Sequence, residues 1–242
     1  MFTGMPVIYG IRPHKTSTDQ KHPIGSLGLM NDGRAYRYCQ NAGTSALNPG
    51  QLCIAPDITT NHEDLATNTF TIGDRSITVT VGATAITGNE YDEGFVNITD
   101  ETGQGIMYKI KKIPTSSGSE DITVDLEEPI RVSAVAATTV TLYRNKYRDV
   151  VVSDGTLTDV PVGVPNVTVA ASEYGWLQIG GPCSVLNDET TTIVAGTPVT
   201  IGQVTDGAVE PLDAATEPYV GNVPAGAVGD AEEYVVIELT LD

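Results

Sequence analysis

The sequence predicts an all-β protein: a β-sandwich or barrel-like body with an extended N-terminal arm. Three observations carry this prediction. Apolar and polar residues alternate with period two in several short segments, the pattern of half-buried strands. Turn residues punctuate the chain at the roughly eight-to-twelve-residue spacing of sandwiches and barrels. Thr and Val recur throughout, while the helix-favouring Leu, Lys, Glu and Arg are thin, and β-branched side chains suit a pleated surface. The 242 residues are 40% hydrophobic, enough for a core, and include 25 Gly and 14 Pro.

Residues 1–30 differ from the rest. Arg12, Lys15 and Lys21 outnumber the single acid Asp19, and apolar periodicity is absent. This segment reads as an arm ordered by what it lies against. Asn31-Asp-Gly33 is a turn signal before the alternating strand Gly33–Gln40. Asn48-Pro-Gly50 makes a tight turn into Gln51–Ala55, because Pro presets φ and Gly accepts φ > 0. Short strands follow at Thr69–Ile72, Ser76–Val81, Gly94–Ile98, Met107–Ile113, Asp121–Leu126 and Thr138–Tyr143. In Met107–Ile113 the alternation turns Lys109 and Lys111 outward. The Pro/Gly-rich stretch Val150–Val167 reads as a crossing segment. Tyr174–Val185, Ala195–Ile201, Gly207–Pro211 and Glu233–Leu241 complete the strand set. Three segments result: an arm, 1–30; a β-rich body, 31–150; and an acidic C-terminal β-domain, 151–242, against which 31–60 is free to pack.

Charge restricts the partners. The chain carries 13 Lys and Arg against 31 Asp and Glu, a net charge of −18. No Lys or Arg occurs after Arg148. A surface of one sign repels polyanions and copies of itself, so neither nucleic acid nor an anionic membrane is expected as a partner. Residues 1–10 hold no basic stretch followed by a sustained apolar run, so no secretory signal is expected. No apolar run reaches the roughly 18 residues of a membrane span. A basic arm on an acidic body favours acidic neighbours, including copies of this chain. The interface candidates are Arg12, Lys15 and Lys21 of the arm, with Arg34, Tyr36, Arg37 and Tyr38 beside it.

No catalytic signature occurs. His14, His22 and His62 form no zinc spacing with one another or with the cysteines. Phosphate-binding loops, dinucleotide glycine motifs and a Gly-x-Ser-x-Gly elbow are missing. Asn97-Ile-Thr99 and Asn166-Val-Thr168 match the glycosylation pattern by chance. Carboxylates are abundant enough for a glycosidase pair to be imagined, but sugar clefts need aromatic platforms and aromatics are 6%. Asp100-Glu101 and Asp230, Glu232 and Glu233 lack the alternating spacing of a calcium loop. No enzyme activity, metal or cofactor is expected. Cys39, Cys53 and Cys183 read as buried free thiols, with Cys39–Cys53 pairing open if adjacent strands carry them. Trp176 reads as a core residue.

Three stretches together resemble the decoration, or cement, proteins of tailed-bacteriophage capsids. They are Ile24–Tyr38 with Ala46-Leu-Asn-Pro-Gly50, then Tyr174-Gly-Trp-Leu-Gln-Ile-Gly-Gly-Pro-Cys183, and the closing run Ala195–Val199, Gly207–Val209, Val220–Asn222 and the strand to Leu241. The resemblance covers both ends of the chain, with the middle strands as an insertion-like body. It implies a β-rich structural virion protein, commonly a homotrimer, bound to the major capsid protein on the outer capsid surface and assembled in the host cytoplasm. It implies no catalytic residue. The alternative is a phage tail or receptor-binding adhesin, or a carbohydrate-binding module, which would present an exposed aromatic platform.

Overall fold

Alternating β-branched and polar residues form nineteen strands, and no helix, among the described residues of a computed structural model: 7–135, 137–188 and 192–242. The chain makes two units, each with its own core. Unit 1 joins the chain up to Pro56 to Lys146–Asp242, and unit 2 is Asp57–Asn145. Unit 1 begins with β1 (Ile8–Tyr9), β2 (Leu27–Leu29), β3 (Ala35–Gln40) and β4 (Cys53–Ile54). Unit 2 holds β5 (Leu65–Ala66), β6 (Ser76–Thr80), β7 (Phe95–Ile98), β8 (Met107–Lys112), β9 (Asp121–Leu126) and β10 (Thr139–Tyr143). The chain then completes unit 1 with β11 (Val151–Val152), β12 (Pro161–Pro165), β13 (Tyr174–Leu186), β14 (Ile193–Val194), β15 (Pro198–Ile201), β16 (Val209–Pro211), β17 (Gly221–Asn222), β18 (Val228–Gly229) and β19 (Tyr234–Thr240).

The main sheet of unit 1 runs β1-β2-β3-β13-β19-β17-β15-β16, with β4, β11 and β12 attached off this path. Its centre is β13, which pairs with β3 on one side (Trp176 opposite Tyr38) and β19 on the other (Cys183 opposite Ile237). In β19 strict alternation sends Val235, Ile237 and Leu239 inward and leaves Tyr234, Val236, Glu238 and Thr240 outside. The core beneath includes Leu52, Val164, Leu177, Val185 and Ile201, all fully buried. Residues 31–56 therefore fold with the acidic C-terminal part, in the same unit.

The extended arm expected over 1–30 is not what its described part forms. β1 pairs parallel with β2, β2 pairs antiparallel with β3, and Ser17 bridges Tyr174. Ile11 and Ile24 are buried in the unit 1 core. Two isolated isoleucines give no local periodicity, yet each is enough to pin a short segment to a sheet; residues 1–6 lie outside the described residues. The Val150–Val167 crossing segment likewise contains strands: β11 pairs with β4, and β12 pairs with β4 and β13. Prolines sit at both ends of β12, where a missing N–H costs a sheet least. Thr69–Ile72 forms a single bridge, Phe70 to Ala134, and no strand.

Unit 2 is a six-stranded antiparallel sheet ordered β5-β10-β7-β8-β9-β6. It curls until Thr67, just past β5, bridges Val79 of β6. That bridge brings the two edge strands together and covers part of the edges that otherwise invite pairing with other chains. Its interior is filled by Ile77, Val96, Tyr108, Ile110, Val124 and Val140, among others. Lys111 of β8 points outward as its pattern predicts, and Lys109 is half-buried. The two ends of unit 2 are tied together. Arg144 donates to Thr59 Oγ1 at 2.6 Å and to the buried Glu90 carboxylate, which also accepts from the Thr87 backbone N–H at 2.9 Å.

Candidate functional site

The interface candidates of unit 1 fall into three places. Arg12, Lys15, Lys21 and Tyr38 line one groove of about 360 Å³, together with Ile8, Ile11, His22 and Trp176. Its floor is an aromatic cluster. The Tyr38 and Trp176 rings are 5.1 Å apart, His22 lies 5.1 Å from Tyr38 and 5.4 Å from Trp176, and Tyr174 stacks on Tyr38 at 6.1 Å. Such pairs add about 0.5–1.5 kcal/mol each beyond their buried area. Gly28 of β2 is required here, because a Cβ would come within 2.7 Å of Ile11 and 2.9 Å of Trp176. The Lys21 backbone N–H donates to Tyr38 Oη at 3.0 Å, holding the loop across the cluster. Burial pushes the Tyr38 phenol upward, so it stays protonated near neutrality.

The rim of this groove is cationic. Arg12, Lys15 and Lys21 are exposed. Lys21 pairs with Asp19 at 3.3 Å, both ends solvated, which is worth little. Among the described residues no carboxylate lies within ion-pair distance of Arg12 or Lys15. By contrast Arg34, Arg37, Lys112, Arg131, Arg144 and Lys146 each meet an Asp or Glu of their own unit.

Arg34 lines a second cleft, of about 600 Å³, with His14, Asn48, Asn166, Ser184, Pro182 and Tyr234. Its guanidinium bonds to Asp32, and that hydrogen bond holds the Asp32 carboxyl below its usual value. Tyr36 lies fully buried beneath. Its hydroxyl donates to Gln178 Oε1 at 3.2 Å, and Asn166 Nδ2 donates to the same oxygen at 3.1 Å. Gln178 Nε2 donates to the carbonyls of Gly180, Gly181 and Pro182 at 2.9–3.3 Å, so this buried amide shapes the glycine-rich bend of β13. Gly50 has φ +79°, and a Cβ there would lie 2.4 Å from the Tyr234 ring. The ring therefore rests on bare backbone and stays 56% exposed at the cleft mouth.

Arg37 occupies a third place. It bonds Asp242 through its guanidinium and donates to the Gly25 carbonyl at 2.9 Å. Lys146 Nζ and the Tyr147 hydroxyl both reach Asp242 Oδ1 at 3.2 Å. Arg37 thus closes the unit's own fold and is held away from the groove.

All three cysteines are free and buried. Burial pushes the Cys39 and Cys183 thiols up to about 12, and raises Cys53 as well. Among the described residues no group of three His, Cys, Asp or Glu side chains is arranged to hold a metal ion. Trp176, His22, Asn166, Gln178 and Tyr234 were not legible as site residues, because each joins its site through pairing between distant strands. Comparison of the chain with protein-family models, with curated proteins and with solved structures finds no match.

Proposed function

We propose that this chain is a structural virion protein that decorates and stabilises the outside of a tailed-phage capsid by binding the major capsid protein. One observation carries the reading. The stretches that resemble decoration proteins are far apart in the chain, yet they form contiguous strands of one sheet, β2-β3-β13-β19-β17-β15-β16. Of the middle strands, which the resemblance leaves out, β5 to β10 form unit 2, while β4, β11 and β12 join unit 1. The cation-free stretch after Arg148 suits a solvent-facing outer surface and is unsuited to packaged DNA. A protein that binds only the intact shell stabilises that shell by mass action. Particles stripped of this protein should release DNA at a lower temperature, and adding the protein back should restore them. Unchanged heat release would reject the reading.

A second reading, a tail adhesin or carbohydrate-binding module, is favoured by the exposed Tyr234 at the mouth of the 600 Å³ cleft. Immunogold labelling separates the two: label on the head supports decoration, and label on the tail supports the adhesin.

A further inference from the structure

Lys112, Asn89 and Asp92 of unit 2 meet away from the grooves of unit 1. Lys112 ends β8, and strict alternation would turn it inward with Tyr108 and Ile110. A register shift intervenes: Ile110 lies opposite Leu126 and Lys112 opposite Asp125, so two residues of β8 span one step of β9. Such a bulge re-aims a side chain, and the Lys112 side chain is 56% exposed. Its Nζ reaches the connection between β6 and β7, donating to Asn89 Oδ1 at 2.5 Å and to Asp92 Oδ2 at 2.8 Å. That connection is held by its own backbone. Asn89 has φ +67°, in the left-handed region that Asn enters more readily than most side chains. The Asp92 backbone N–H donates to the Asn89 carbonyl at 3.1 Å. Asp92 Oδ1 accepts from the Ile113 backbone N–H at 2.9 Å, which pins the carboxylate to the end of β8. An ion pair between Lys112 and Asp92 needs no carboxamide, yet a left-handed turn residue presents one to the same amine.

We propose that Lys112 and Asn89 join in an intramolecular isopeptide bond, with Asp92 as the proton carrier. The neutral Lys112 amine attacks Asn89 Cγ. Asp92 takes a proton from the attacking nitrogen and delivers it to the departing one. The Nζ–Cγ bond forms, the Cγ–Nδ2 bond breaks and ammonia leaves; nothing is oxidised or reduced, and no co-reactant is consumed. Holding the two groups in contact acts as an effective concentration of about 10⁵–10⁸ M, which lets an amide react without prior activation. The amine must first lose its ammonium proton, so the bond should form faster in mild alkali than at neutral pH. The charged groups that face it are Asp92 and, as its partner on β9, Asp125. The inference stands on unit 2 alone and requires no capsid.

Intact-mass spectrometry of the purified full-length protein, fresh and after incubation in mild alkali, tests it. The expected result is a species lighter by one ammonia that grows to most of the protein. Its peptide map should show Lys112 resistant to trypsin and joined to the peptide that holds Asn89. This linked peptide decides the matter in the wild-type chain, without any variant. Lys112→Arg keeps a cation beside Asp92 and should retain its full mass, as should Asn89→Ala. Asp92→Asn can still accept from the Ile113 N–H and should slow bond formation about a hundredfold or more. Full mass in the wild type after alkaline incubation would overturn the proposal. So would ammonia loss that persists in Lys112→Arg, since that loss belongs to an asparagine cyclising on its own backbone. An Asp92→Asn variant that reacts as fast as the wild type would count equally against it. The calorimetric transition of each variant verifies that unit 2 remains folded.

Discussion

Replacing Arg144 with methionine should destabilise unit 2 while leaving unit 1 intact. Glu90 is 5% exposed and Arg144 20% exposed at the side chain. Removing the guanidinium leaves a buried carboxylate without its cation, a change that costs about 3–5 kcal/mol. Thr87 still donates to Glu90 through its backbone N–H and hydroxyl at 2.9 and 3.1 Å, and Thr59 lies 3.4 Å away. These surviving donors put the expected loss at the lower end, about 3 kcal/mol. For a unit of this size each kcal/mol moves Tm by about 4–8 °C, so the shift should be about 12–24 °C. Differential scanning calorimetry measures it. The single Trp, Trp176, sits in the unit 1 core, so its fluorescence reports unit 1 separately. The expected result is a lowered calorimetric transition with an unmoved fluorescence transition. The paired variant Arg144→Met/Glu90→Gln should recover part of the loss, because the buried charge is then gone. A shift under about 5 °C, or no recovery in the pair, would refute the argument that the unpaired carboxylate is what costs stability.

Two further outcomes follow from unit 1. Burial by itself would raise the Asp242 carboxyl, but the hydrogen bond and charge of Arg37, then those of Lys146, outweigh it and hold the group below its usual 3.8. Its stabilisation is therefore full above 3.8 and is lost as pH falls through the lower folded value. Asp242→Asn should cost about 1 kcal/mol at neutral pH and flatten the acid limb of urea midpoints followed by Trp176 fluorescence; an unchanged acid limb would count against the clasp. The thiols, with Cys39 and Cys183 held up to about 12, should not react with a thiol-directed disulfide reagent at neutral pH until the protein is unfolded. Rapid labelling of the native protein would contradict their burial.

The fold class was legible because a strand's two faces are written in adjacent residues. Asp121–Leu126 alternates in sequence and alternates in burial, residue by residue, and so does Tyr234–Thr240. The free state of the cysteines and the core role of Trp176 were also readable, since both follow from side-chain chemistry. The sheet order was not. β3 meets β13 and β13 meets β19 across long stretches of chain, and nothing local in Tyr38 names Trp176 as its partner. For the same reason the segment around Ile11 and Ile24 read as an arm: two buried isoleucines declare themselves only once β2 lies against β3. The cationic character of Arg12, Lys15 and Lys21 belongs to composition. Their meeting over one aromatic floor, and the diversion of Arg37 to Asp242, were decided by tertiary structure, because ion pairs and grooves are made by distance in space, which one chain's order does not encode locally.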